Sequence, residues 1–177
     1  MKTKLITHAI IILTMIFLFT AGTIFAQEKK IDLKDVPAKV LDSFHKAFPK
    51  AEIKGTLIEK ENNHTYYEIE SMEGSRHIDL LILKTGEISE VEETVTENEF
   101  PAPVMKTLKS KFAKFKVSKA EKVTSGKKIT FEMSIESNEK MHSVVILPDG
   151  KIVKDNSIKE ENEKTEKGEK EKDEDDD

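Results

Sequence analysis

Residues 36–48, VPAKVLDSFHKAF, and residues 100–112, FPAPVMKTLKSKF, read as two versions of one segment, and their spacing decides the fold. At a constant offset of 64 residues, Val40, Leu41, Phe44 and Phe48 meet Val104, Met105, Leu108 and Phe112. Each set falls at i, i+1, i+4 and i+8, which is one apolar stripe on a 3.6-residue period. Each segment is therefore expected to be a helix opened by a proline, whose missing N–H has no intrahelical partner in a first turn. Asp35 stands where a cap is expected for the first helix, and Pro49 stops it. Helices this short do not persist alone in water, so each must lie on something.

The correspondence continues at the same offset without a gap. Tyr67 meets Phe131, Ile69 meets Met133, Leu80 and Ile82 meet Val144 and Ile146, and Gly86 meets Gly150. In KITFEMSI, residues Ile129, Phe131, Met133 and Ile135 alternate with other side chains, the mark of a half-buried strand. HTYYEIES alternates in the same way, and RHIDLLIL and MHSVVIL supply the next strand of each half. Lys84-Thr85-Gly86 and Pro148-Asp149-Gly150 read as tight turns. With EIKGTLIEK and VSKAEKVT before these strands, and EISEVEETV and KIVK after them, each half reads as a helix and four strands. The expectation is an α+β fold in which two tandem α-β4 repeats form one curved antiparallel sheet, with the helices packed on one face.

The flanks differ from this body. Lys2 and Lys4 precede an apolar run from about Ala9 to Phe25, which ends at Ala26 before Gln27, Glu28, Lys29 and Lys30. That order predicts a signal peptide over residues 1–26 and a periplasmic or secreted chain; an uncleaved segment would be its only tie to a membrane. A polar lead over 27–35 follows, then repeats over 36–99 and 100–155. Residues 156–177 carry almost no apolar side chain after Ile158 and read as a disordered acidic tail. No cysteine occurs, which excludes disulfides, thiol chemistry and a lipoprotein anchor. Between Gln27 and Lys154 the charges balance at 22 basic and 22 acidic, so the body has no basic bias and nucleic acid is not an expected partner.

VPAKVLDSFHKAFPKA, an aromatic strand (TYYEIE) and a hydrophobic strand ending in the turn KTGEI together resemble the PepSY-like family described as β-lactamase-inhibitor-like. FPAPVMKTLKSKF through ILPDGKIVK is similar, so the resemblance covers about Val36 to Asp155. It departs from the family pattern in one respect, because the chain has no tryptophan. The resemblance implies the two-repeat sheet, export in a Bacteroidetes-type bacterium, and inhibition of an enzyme as the namesake's activity.

A search for chemistry finds little. There is no G-x-S-x-G, and His45, His64, His77 and His142 show no metal-ligand spacing. No cofactor, metal site or catalytic residue is expected, and the chain does not read as an enzyme. Glu68 and Glu70 are explained by alternation on a polar strand face. Interest falls on the face opposite the helices, where Tyr66, Glu68, Thr130 and Glu132 would flank His77, Asp79, Leu81, Leu83, Val145 and Leu147. Strands apolar on both sides are usually covered on both sides. Either Leu81, Leu83, Val145 and Leu147 are sheltered by loops and edges, or they belong to a concave surface for an unknown periplasmic protein or peptide. The sequence thus suggests a noncatalytic binding module, an inhibitor or regulator of an envelope enzyme. The alternative is an envelope stress or structural protein that binds small ligands or cations.

Overall fold

A computed structural model describes residues 28–61 and 64–158. The expected signal peptide and most of the acidic tail lie outside those residues. The first described element is a two-residue strand, β1 (Lys29–Lys30), followed by a 3-10 turn at Leu33–Asp35 and helix α1 (Ala38–Ala47). Four strands come next: β2 (Glu52–Glu61), β3 (His64–Glu73), β4 (Arg76–Leu83) and β5 (Ile88–Thr94). A second 3-10 turn at Glu97–Glu99 leads to α2 (Ala102–Lys111), then to β6 (Phe115–Ser125), β7 (Lys128–Ser137), β8 (Lys140–Ile146) and β9 (Ile152–Ile158). All nine strands pair antiparallel in chain order within one sheet.

Both helices lie where their stripes require. Val40 and Phe44 of α1 are buried against Ile69, Ile78, Leu80 and Ile82 of the sheet, and Leu41, Phe48 and Tyr67 pack around them. Val104 and Leu108 of α2 cover Phe131, Met133, Ile135, Val144 and Ile146. Burying a side chain of this size stabilises by roughly 1.5–3 kcal/mol, so each helix is held mainly by its stripe.

A second device ties each helix to the sheet. Ser43 Oγ donates to the Gly86 carbonyl at 2.7 Å, and Thr107 Oγ1 donates to the Gly150 carbonyl at 2.8 Å. The two bonds have the same sequence separation, 43 residues, and join a helix to the turn after the third strand of its half. Gly86 and Gly150 sit at φ 91° and 89°. A Cβ there would come within 2.9 Å of the Lys39 carbonyl or 2.7 Å of the Pro103 carbonyl, so the turns press on helix backbone as only glycine allows.

The halves meet at the β5–β6 pairing, from Glu90 opposite Ser125 to Thr94 opposite Glu121. On the helix side of that seam Glu93 takes Lys122 Nζ at 2.7 Å and Arg76 Nη1 at 3.4 Å. Arg76 also bonds Glu99. Thr96 and Glu99 close a capping box there, and the hydrogen bonds from the Thr96 amide and hydroxyl hold the Glu99 carboxyl below its ordinary value.

Three details differ from the sequence reading. Asp35 does not cap α1: Pro37 occupies the N-cap, and Asp35 closes the preceding 3-10 turn, too early to reach the first helical amides. The polar lead contains β1, which pairs Lys29 and Lys30 with Ile58 and Leu57. Beyond residue 155, β9 runs on to Ile158, because Ser157 and Ile158 still find partners in His142 and Met141.

Candidate functional site

Strand register assigns the side chains to two faces. Residues opposite the buried Ile69, Ile78, Leu80, Phe131 and Met133 share the helix side. The alternate residues form a face that carries no helix. Tyr66 pairs with Leu83, Glu68 with Leu81, Met72 with His77 and Glu132 with Val145, while Thr130 pairs with Val123. Nine of the ten residues singled out from the sequence therefore share the open face by register, and Leu147 lies just past the end of β8. His142 is opposite Ile135 on the helix side, so His77 and His142 stand on different faces.

Burial divides these ten. Tyr66, Glu68, Asp79, Leu81, Leu83, Glu132 and Leu147 are half-buried, and His77 is exposed. Val145, at 4% exposure, and Thr130, at 5%, are not available to a partner, which corrects their inclusion in a contact surface. The reason is local. Val145 lies between Glu132 and Lys154, and Thr130 donates to Glu132 Oε1 at 3.4 Å, so short side chains sit beneath the stems of long neighbours.

Charge is the dominant property of the open face. Cross-strand pairs align Glu70 with Asp79, Asp79 with Glu92, and Glu121 with Glu132. Glu68 and Glu90 flank Leu81 on either side. Like charges directly opposite one another on a sheet repel. Their partial burial adds to the cost of ionisation.

The titration behaviour follows. Burial, then the carboxylates of Asp79, Glu28, Glu70 and Glu59, pushes Glu68 up to about 7. Burial and Glu70 push Asp79 up to about 6, against a hydrogen bond from the Ser71 amide that favours its ionised form. Glu92 is pushed up to about 8 by burial and by Glu121, Glu90, Glu132 and Asp79. Glu132 is raised by burial and by Glu90, with the Thr130 hydroxyl acting in the opposite sense.

Glu90, Glu92 and Glu121 do not stand out in the sequence, and Glu70 reads there only as polar alternation beside Glu68. On each strand they look like ordinary polar alternation, and only the register brings them together. The backbone allows Glu70 its position over Gly55, where a Cβ would overlap the Glu70 carboxylate.

Two shallow depressions occur among the described residues, one beside α2 around Pro103, Lys106 and Asp149, the other at the end of the β6–β7 pairing around Lys114, Lys116, Glu136 and Glu139. Among the described residues no three His, Asp or Glu converge to hold a metal ion, and no helix is long and apolar enough to cross a membrane.

No family model matches the chain, and no curated protein is similar to it. Solved structures are. A Bacteroides eggerthii protein described as periplasmic superposes with a TM-score of 0.58 at 16% identity, over 70% of this chain and 89% of that one. A DUF2874 family protein from Bacteroides uniformis gives 0.57 at 15% identity, over 68% and 88%. A BLIP-like protein from Bacteroides fragilis gives 0.55 at 16% identity, over 69% and 86%. At such identities the likeness concerns the fold alone: this chain shares an α+β fold with the BLIP-like and DUF2874 proteins.

Proposed function

We propose that the chain is an exported, noncatalytic module that binds a protein or peptide of the cell envelope on the open face of its sheet. One observation carries this reading. Both helices cover the same side, while the other side gathers half-buried Tyr66, Leu81 and Leu83 with an array of carboxylates spanning β3 to β7. A mixed apolar and charged surface on an open sheet face suits recognition of a partner. The halves are read as a duplicated PepSY-like unit, in keeping with the matched helix-to-turn bonds. Export rests on the N-terminal signal pattern, and regulation of an envelope enzyme is the namesake-like role. The alternative, a stress or structural protein holding cations or small ligands, has the carboxylates in its favour but no converging ligand set among the described residues.

The test is capture of envelope proteins by the chain and by a Leu81→Ser/Leu83→Ser variant, which removes the apolar contact without adding charge between Glu68 and Glu90. The variant is expected to keep its fold, because both leucines are on the open face, and to lose the captured partner. Equal capture by both proteins would remove the open face as the binding surface. Capture that depends on added divalent cation and survives the double substitution would favour the alternative.

A further inference from the structure

The charge of the body is balanced in number but not in place. On the open face, Glu52 and Glu59 of β2, Glu68 and Glu70 of β3, and Asp79 of β4 continue into Glu90 and Glu92 of β5, Glu121 of β6, and Glu132 and Glu136 of β7. Among the described residues the cations on the same face are Lys30 of β1, Lys116 and Lys119 of β6, Lys128 of β7 and Lys154 of β9, with His77 of β4. They stand mostly toward the edges of the array; Lys119 is held by Glu121 at 2.8 Å, and Lys54 at the β2 bulge is held by Glu52 at 2.8 Å. Glu28 of the lead adds a further carboxylate near Glu68. The other side of the molecule compensates: α2, APVMKTLKSK, has Lys106, Lys109 and Lys111 and no acidic residue. The residues after 158 are themselves strongly acidic and are poorly suited to cover this face.

We infer that the open face is a proton-operated surface, which holds a Lys- or Arg-bearing segment of its partner when ionised and releases it as it takes up protons near neutral pH. The partner half of this statement rests on the proposed function; the proton half does not. Opposed carboxylates on neighbouring strands cannot all ionise cheaply, so a cationic side chain laid across them relieves repulsion that protons would otherwise relieve. Protons and basic partner therefore compete for the same groups, and linkage makes the competition reciprocal. The chain positions favour this coupling at the seam, because Glu92 faces Asp79 on one side and Val123 on the other, with Glu121 and Glu132 in the next row.

The sign of the effect on stability is fixed. These carboxyls bind protons in the folded chain at a pH where the unfolded chain has lost them. The folded state is penalised at high pH, and the penalty is lifted as pH falls through about 8 for Glu92, 7 for Glu68 and 6 for Asp79. The melting temperature of the partner-free protein is expected to rise by roughly 5 °C or more between pH 8.5 and pH 6. In Glu68→Gln/Glu92→Gln it is expected to start higher at pH 8.5 and to change little. A flat profile in the unmodified protein, or an unchanged slope in the variant, would overturn the proton half.

The second arm uses a labelled deca-lysine peptide as probe, with deca-glutamate as control. Deca-lysine is expected to bind at least about tenfold more tightly at pH 8.5 than at pH 5.5, with that ratio shrinking severalfold in the double variant. The acidic C-terminal residues are identical in both proteins, so their contribution does not alter the comparison. Equal binding at both pH values, with the melting profile as expected, would overturn release by protons. Absence of deca-lysine binding at any pH, again with the melting profile as expected, would overturn the basic partner while leaving proton uptake in place.

Discussion

Beneath α1, Ile78 is 1% exposed and belongs to the core; at the matching place under α2 stands His142, whose Nδ1 is buried without a hydrogen bond. Thr130 and Tyr66 also occupy matching positions, and one is buried while the other is half-exposed. By contrast Ser43 and Thr107 make the same bond to Gly86 and Gly150, and Val40 and Val104 are both fully buried. The two halves agree along the helix stripes and at the turn bonds, and differ at one place beneath the helices and one on the open face. What holds the helices is thus separable from what the open face does, and substitutions in the two classes should behave differently.

The strongest break comes from the seats themselves. Phe44→Ala is expected to cost about 3–5 kcal/mol, and Leu108→Ala about 2–5 kcal/mol, since each empties a fully buried place between helix and sheet. Because β5 and β6 join the halves in one ladder, denaturant melts of either variant should show one transition. Two transitions in Phe44→Ala would mean that the halves unfold as separate units, and the comparison would become one between two domains.

Next are the glycine turns, where the comparison predicts equality. Gly86→Ala and Gly150→Ala both place a Cβ against a helix carbonyl at positive φ, and each should cost about 1–3 kcal/mol. Loss of helix-to-turn contact should appear as faster amide exchange in the last strand of the affected half. A large cost in one half and none in the other would show that only one turn bears on its helix.

Most of what seats the helices was legible in the sequence, and most of the charge array was not. The stripe Val40, Leu41, Phe44, Phe48 and the alternation through Phe131 and Met133 are periodic, and period reports which side is buried. The strand at Lys29–Lys30 has no period to read; two charged residues become strand only because the β2 backbone at Leu57 and Ile58 is there to pair. The carboxylates failed to stand out for a related reason. Glu68, Asp79, Glu92 and Glu121 come from four different strands, and their proximity depends on register that no single strand encodes. Burial of Val145 and Thr130 depends on neighbours across the ladder in the same way.

The smallest expected effect is the sharpest test of how the halves diverged. His142 Nδ1 lies 3.6 Å from Asp155 Oδ1, a carboxylate that Lys111 Nζ already holds at 2.7 Å, and the Phe112 ring is 5.0 Å away. Replacing it with the residue of the first half, His142→Ile, removes a buried nitrogen that makes no hydrogen bond while keeping an apolar group against Phe112. Stability should rise by about 1 kcal/mol in chemical denaturation. The reverse exchange, Ile78→His, puts an imidazole among Val40, Phe44 and Leu80 and should cost about 1–3 kcal/mol or more. If His142→Ile instead loses stability, the imidazole is held by Asp155 and Phe112 strongly enough to outweigh its missing hydrogen bond. The second half would then have acquired a polar tie between α2, β8 and β9 in place of the apolar seat that Ile78 provides in the first.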